Sequence, residues 1–203
     1  RRAESMLKGR FDVPEMAIGG EAFVVEGKNY GYFGVTTSLL RLPFVLTGFL
    51  FGEVSRFLLL SYFFLCLAAA YALLCHATRI LNRKPAWPSP WAVAVFLIGG
   101  VLGTTLLFLG SRAYIYHEAI LCGAAFALWC SFFTLRYLEN PASKAWIGAL
   151  VCGLGAIHAR PSSGLYALCL LGVVALFHLC AKWKNRSTSG VLRHVGIGLG
   201  ATL

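Results

Sequence analysis

Residues 57–77 contain no Lys, Arg, Asp or Glu, and a run of that kind leaves a chain few ways to fold. About 20 apolar residues in a helix span the roughly 30 Å hydrocarbon core of a bilayer. The helix also satisfies its backbone hydrogen bonds internally, which lipid demands. Four further apolar stretches follow at 91–110, 118–135, 145–159 and 162–181, separated by short basic or turn-forming segments. The 145–159 stretch is short and must borrow its polar flanks. Hydrophobic residues make up 58% of the 203 residues and charged residues 13%, about half the share of charge in a soluble domain. Too little charge remains to cover a water-facing surface, so a soluble globule, a disordered chain and a nucleic-acid-binding domain are poor fits. The composition predicts an all-α polytopic helical membrane protein with about five spanning helices.

The net charge of +10 sits mostly in short runs between the apolar stretches, a pattern suited to phospholipid head groups and topology control. One set of alternate loops holds Arg79, Arg83 and Lys84, then Arg136 and Lys144, then Lys182, Lys184, Arg186 and Arg193. The other set holds Arg112 and Arg160 alone. The positive-inside rule places the first set in the cytoplasm. Residues 1–35, 114–118 and 158–163 then share the opposite side, provided that 37–52 does not cross.

Three regions follow from this pattern. Residues 1–52 form a first non-cytoplasmic loop, 53–193 a five-helix transmembrane bundle, and 194–203 the start of a further helix cut short. The absence of an initiator Met at Arg1 marks the chain as a piece of a longer protein. Within the loop, 2–7 suits a short helix. Residues 23–25 and 29–33 suit short strands around a turn at Glu26-Gly27-Lys28. The stretch 37–52 is apolar but interrupted by Arg41 and Pro43, too short to span, and reads as an interfacial or re-entrant helix. The seven cysteines all lie in apolar stretches without CxxC or zinc-type spacing, as small packing residues do.

The unusual polar residues gather on the non-cytoplasmic side. Tyr114-Ile115-Tyr116-His117-Glu118 joins two spans. An acid at a membrane boundary is costly without a partner and is therefore a functional candidate, although a helix N-terminus also favours an anion. Arg160 precedes Pro161 at the start of a span, where guanidinium and free backbone N–H groups suit a phosphate; snorkelling to lipid phosphates is the simpler alternative. His76 and His178 lie inside spans near the cytoplasmic side and read as packing or hydrogen-bonded residues. The third site is the aromatic loop from Glu26 to Gly34, running into Arg41 and Pro43.

The run Gly27-Lys28-Asn29-Tyr30, then Tyr32-Phe33-Gly34, then Leu39-Leu40-Arg41-Leu42-Pro43 resembles the first-loop pattern of polytopic GT-C glycosyltransferases. These are multi-span enzymes using polyprenyl-phosphate sugars, in the manner of the protein mannosyltransferase and aminoarabinose transferase superfamily. Upstream, residues 2–14 resemble the family's helix after its acidic motif, ending in a Gly9-Arg10-Phe11-Asp12 turn. Tyr116-His117-Glu118 and Ala159-Arg160-Pro161 resemble features of bacterial members. Where that pattern commonly has Pro after Phe-Gly, this chain has Val35.

The resemblance implies interfacial helices in a large first loop, a bacterial inner-membrane location and an active face away from the cytoplasm. It also implies a catalytic acid ahead of an Arg-x-Ala segment, which here falls before Arg1. Asp12 is the substitute within the chain, with Glu4 and Glu21 behind it.

The expected reaction transfers a sugar from a polyprenyl-phosphate carrier to an acceptor hydroxyl on a glycan, lipid or protein. Asp12 is the expected base, and Glu118 with neighbouring His117 would orient the acceptor or a metal. Lys28 and Arg160 would meet the phosphate, while Tyr30, Tyr32, Arg41 and Tyr116 would line the substrate site. One carboxylate and one histidine leave a divalent metal open but do not make a site, so no cofactor is assigned. Expected partners are the lipid-linked donor, membrane lipids and the acceptor. Two rivals stand beside the enzyme. A transporter would carry its polar residues near mid-bilayer. A non-catalytic packing subunit of a cell-envelope assembly would use small-residue surfaces such as Gly99, Gly100 and Gly103.

Overall fold

The computed structural model describes residues 2–14, 22–31, 34–48, 51–82, 87–112 and 114–185. Among them lie eight helices and one two-stranded hairpin: α1 (Arg2–Leu7), β1 (Ala22–Val25), β2 (Lys28–Gly31), α2 (Thr36–Leu46), α3 (Phe51–Asn82), α4 (Pro90–Leu102), α5 (Leu106–Ser111), α6 (Ile115–Glu139), α7 (Ser143–Ala159) and α8 (Pro161–Asn185). Tyr32, Glu21 and the expected further helix at 194–203 lie outside the described residues.

The hairpin forms where the turn residues require it. Val25 pairs with Lys28 across a two-residue loop, and both loop residues, Glu26 and Gly27, have positive φ at 50° and 72°. That conformation matches the twist of the strands it joins. The backbone N–H of Val13 donates to Asn29 O at 2.8 Å, laying the 10–14 segment along β2.

Helix α2 ends sooner than the apolar stretch that contains it. Pro43 has no N–H to give the helix. Gly48, at φ 77°, adopts the left-handed conformation that commonly closes a helix. The apolar run at 37–52 is therefore not one interfacial helix: its last residues already belong to α3, which continues for 32 residues.

Five full spans were expected among the apolar stretches, and the described residues contain three helices long and apolar enough to cross a membrane: α3, α6 and α8. The 91–110 stretch breaks between α4 and α5. Gly103 caps α4 and donates its N–H to Gly99 O, and a Cβ there would lie 2.5 Å from that same carbonyl. Helix α7, with 17 residues, falls just short. Arg79 of α3 meets Trp87 ahead of α4, while His117 of α6 meets the Arg112 carbonyl at the close of α5.

Helix α6 is the centre of the bundle. Its most apolar window is 56% buried, against 28% for α3 and 22% for α8. One face packs Leu121, Cys122 and Ala125 against Leu58, Leu59, Tyr62 and Cys66 of α3. The other packs Ala127, Cys130 and Tyr137 against Trp146, Ala149 and Leu150 of α7 and Ala167, Leu171 and Val174 of α8. Small residues permit this closeness: a Cβ on Gly155 would lie 2.6 Å from Phe126, and one on Gly153 would lie 2.8 Å from Leu171. Four cysteines are buried in the bundle, as their apolar setting predicts, while Cys169 and Cys180 face outward on α8.

Candidate functional site at the α2 end of the bundle

Arg41 lies on α2, one turn and a half from its start, and is buried against the bundle. Its Nε donates to Glu118 Oε1 at 3.0 Å, and one terminal nitrogen donates to Glu118 Oε2 and to Ser55 Oγ, the latter at 2.7 Å. Glu118 is itself 4% exposed, in the first turn of α6, where the helix dipole favours an anion. The planar guanidinium meets the carboxylate through two parallel hydrogen bonds, the strongest geometry this pair can adopt. Three elements are tied at one point: α2 through Arg41, α3 through Ser55 and α6 through Glu118.

Two further contacts hold the start of α2 on the α7–α8 junction. Thr36 Oγ1 donates to Gly155 O at 3.1 Å. Gly34 lies so close to His158 that a Cβ on it would stand 1.6 Å from the His158 carbonyl oxygen. Arg2 reaches the Gly34 carbonyl from α1 at 3.5 Å. Burial without full solvation lowers the Arg2 pKa from its ordinary value.

Arg160 is the extended residue between α7 and α8. Its carbonyl accepts from Gly164 N at 2.9 Å and Ser163 Oγ at 3.2 Å, and Pro161 opens α8 where a missing N–H costs nothing. A Cβ on Gly123 of α6 would lie 2.2 Å from Ser163 Oγ and 3.5 Å from Arg160 Cβ. The junction is thus pressed against α6 just below Glu118.

Asp12, in the segment along β2, forms a separate group with Lys28 and Tyr30 of the hairpin. Arg10 pairs with both carboxylate oxygens of Asp12, its Nε at 2.9 Å from Oδ1. That hydrogen bond, helped by the charge of Lys28, holds the Asp12 carboxyl below its ordinary pKa. Stability from the pair is therefore present above the unfolded-state pKa and is lost as pH falls through the lower folded value. Asp12 is the chain's single aspartate, so carboxyl-¹³C-aspartate labelling reports on it alone. Its NMR titration is expected to have a midpoint below that of free aspartate, and Arg10→Gln should move it upward. An unchanged midpoint in that variant would remove Arg10 as the cause.

Three sequence expectations change here. Arg41 and Glu118, expected to face substrate or a metal, instead face each other. His117 does not join Glu118: neighbours in a helix point about 100° apart. Its Nδ1 lies 2.9 Å from the Arg112 carbonyl, between the rings of Phe108 and Tyr114. Among the described residues, no three His, Cys, Asp or Glu side chains gather where they could hold a metal ion. Tyr116 is partly buried in the first turn of α6. Sequence reasoning missed Arg10, Ser55 and Thr36. Of these, Arg10 had a local signal, two residues from an acid across a Gly-led turn.

No protein family model, curated protein or solved structure matches the chain.

The contacts bring residues 34–41 onto the bundle end where Arg160 and the start of α8 lie, while Asp12, Lys28 and Tyr30 lie together on the hairpin and the 10–14 segment along it. Arg41 and Glu118 neutralise one another and serve to hold the loop.

Proposed function

We propose that the chain is an integral membrane glycosyltransferase that moves a sugar from a polyprenyl-phosphate carrier to an acceptor hydroxyl on the non-cytoplasmic face. Membrane placement is supported by three long apolar helices and by the exposed apolar side chains along them. Phe57, Leu60 and Phe64 of α3 and Leu165, Val173, Leu176 and Phe177 of α8 all face outward, a surface that lipid accepts and water does not. On this reading α4–α5 and α7 complete five crossings, and the location is the bacterial inner membrane.

The observation that carries the enzymatic reading is the convergence of three sequence-distant segments at one end of the bundle. The Arg41–Glu118 pair, Thr36 on Gly155 and Gly34 on His158 together fix the first loop over the α6 start and the α7–α8 junction. In the proposed step the acceptor oxygen attacks the anomeric carbon. A new C–O bond forms, the bond to the phosphate oxygen breaks, and its electron pair leaves on the phosphate. The acceptor proton passes to the Asp12 carboxylate, and Lys28 and Arg160 steady the departing charge. Tyr30, Tyr32 and Tyr116 would line the sugar site. Carrier, acceptor and surrounding membrane lipids are the partners.

The test is release of polyprenyl phosphate by the full-length protein in vesicles, supplied with hexosyl- and pentosyl-polyprenyl phosphates and a hydroxyl acceptor. Asp12→Asn is expected to lower kcat by about 10²–10⁴-fold, the usual range for losing a proton-transfer group, and Arg160→Ala by about 10²–10³-fold, as for losing one donor to developing charge. Insertion into the membrane should remain. Full turnover in both variants, or none in the wild-type protein with any donor, would overturn the assignment.

One observation favours a second reading, the packing subunit. Added Cβ atoms on Gly99 and Gly100 of α4 would meet nothing, and Trp91, Val95 and Ile98 are exposed on the same helix. A smooth, uncovered helix of this kind suits association with another membrane helix.

A further inference from the structure

The bundle end opposite Arg41 and Glu118 carries a second cluster, on the seam between α3 and α6. His76 of α3 and Glu139 of α6 meet at 3.6 Å. The His76 ring lies edge-on to Phe132, with 6.1 Å between centroids. Arg136 holds its guanidinium 5.8 Å from the centre of that same Phe132 ring. One turn beyond His76, Arg79 holds its guanidinium 5.3 Å from the Trp87 ring, in the connector before α4. Both arginines are exposed, and so are Trp87, Ile80, Leu81, Leu135 and Leu138 around them.

A guanidinium stacked on a ring keeps its edge N–H groups available, and the edge is where it recognises phosphate. Glu139 is the sole acid at this end among the described residues, and His76 shares it. The seam is thus electropositive, yet flanked by large apolar surfaces. A free phosphate would satisfy the arginines and leave Trp87, Ile80 and Leu81 uncovered. An anionic phospholipid would satisfy both.

We infer that the α3–α6 seam is a binding site for an anionic phospholipid, with Arg79 and Arg136 on its phosphate and the exposed apolar residues along its acyl chains. The inference rests on the membrane placement proposed above and is independent of the transferase chemistry. Trp87 marks the depth at which the glycerol region would lie, as aromatic residues do at bilayer interfaces.

The test uses the full chain purified in neutral detergent and titrated with phosphatidylglycerol or phosphatidylcholine, with retained lipid counted by native mass spectrometry. Phosphatidylglycerol is expected to be held in preference. Arg79→Gln and Arg136→Gln should each weaken it about fivefold and together roughly thirtyfold, with phosphatidylcholine unaffected. The Lys replacements, which keep the charge, should lose less. Circular dichroism on each variant checks that the helices persist, and the single variants carry the comparison should the double variant not fold. Equal retention of the two lipids, displacement by millimolar inorganic phosphate, or unchanged binding in the Gln variants would overturn the site. Absence of the protein from the membrane fraction of cells would overturn the membrane placement itself.

Discussion

Replacing Glu118 with Ala is expected to destabilise the folded chain by about 3–5 kcal/mol, the cost of stranding a buried charge. Arg41 is 8% exposed, and the variant would leave its guanidinium with Ser55 Oγ as its remaining partner among these contacts. Arginine has no neutral form to retreat to in a protein, so the exchange removes its carboxylate while its buried charge stays. The reverse variant, Arg41→Ala, should be milder, because an orphaned carboxylate can take up a proton. The decisive comparison is Arg41→Met with Glu118→Leu. A volume-matched apolar pair removes both charges together and commonly restores most of the stability. Thermal unfolding in detergent measures all three, and a loss of 3–5 kcal/mol corresponds to a shift of roughly 10 °C in a chain of this size. A Glu118→Ala protein within 1 kcal/mol of wild type would show that the pair is hydrated, and the tie between loop and bundle would go with it.

The buried pair also shows where sequence reasoning stops. Arg41 and Glu118 each stood out, one as an interruption in an apolar stretch and the other as an acid at a span boundary. Their pairing across 77 residues depends on how far α2 rotates about its axis, which no local pattern encodes. What was legible had local causes. Long apolar runs mark the helices, because a helix is the segment that satisfies itself in lipid. Positive-φ turn residues mark the hairpin. Basic connectors sort the loops into two sets; of the segments 1–35, 114–118 and 158–163 expected on one side, Gly34 lies against His158 and Glu118 meets Arg41.

What was misread failed for equally physical reasons. The 37–52 stretch and the charge-free run from 57 read as separate segments, but a helix does not have to stop where its side chains become polar, and α3 begins at Phe51. Hydropathy sums across residues 91–110 cannot see that Gly103 ends one helix and that Thr104 turns its hydroxyl back to the Gly100 carbonyl. His117 and Glu118 are adjacent in sequence and face different neighbours, because one helical step separates their directions.

Gly34→Ala should detach the first loop with a single methyl group. The added carbon would stand 1.6 Å from His158 O, 2.2 Å from His158 C and 3.1 Å from Ala159 N. All three are backbone atoms at the end of α7, so no side-chain rotation can make room. The chain must retreat until the contact opens to ordinary distance, a movement of well over an ångström. Thr36 sits two residues away with its hydroxyl 3.1 Å from Gly155 O, too close to survive that movement. Overpacking of this kind costs typically 1–3 kcal/mol, and here the lost hydrogen bond and the strained Arg41–Glu118 pair add to it. Arg41 supplies the readout, since trypsin cleaves after arginine only when the backbone can unfold locally. Wild-type protein should resist cleavage after Arg41, whereas Gly34→Ala should be cut at that bond much faster. Gly172→Ala is the control: a Cβ there meets nothing, and the exchange should be neutral or slightly stabilising within a helix. Equal protection of Arg41 in Gly34→Ala and wild type would mean that the loop tolerates separation from α7 and is held by the tie of Arg41 to Glu118 and Ser55.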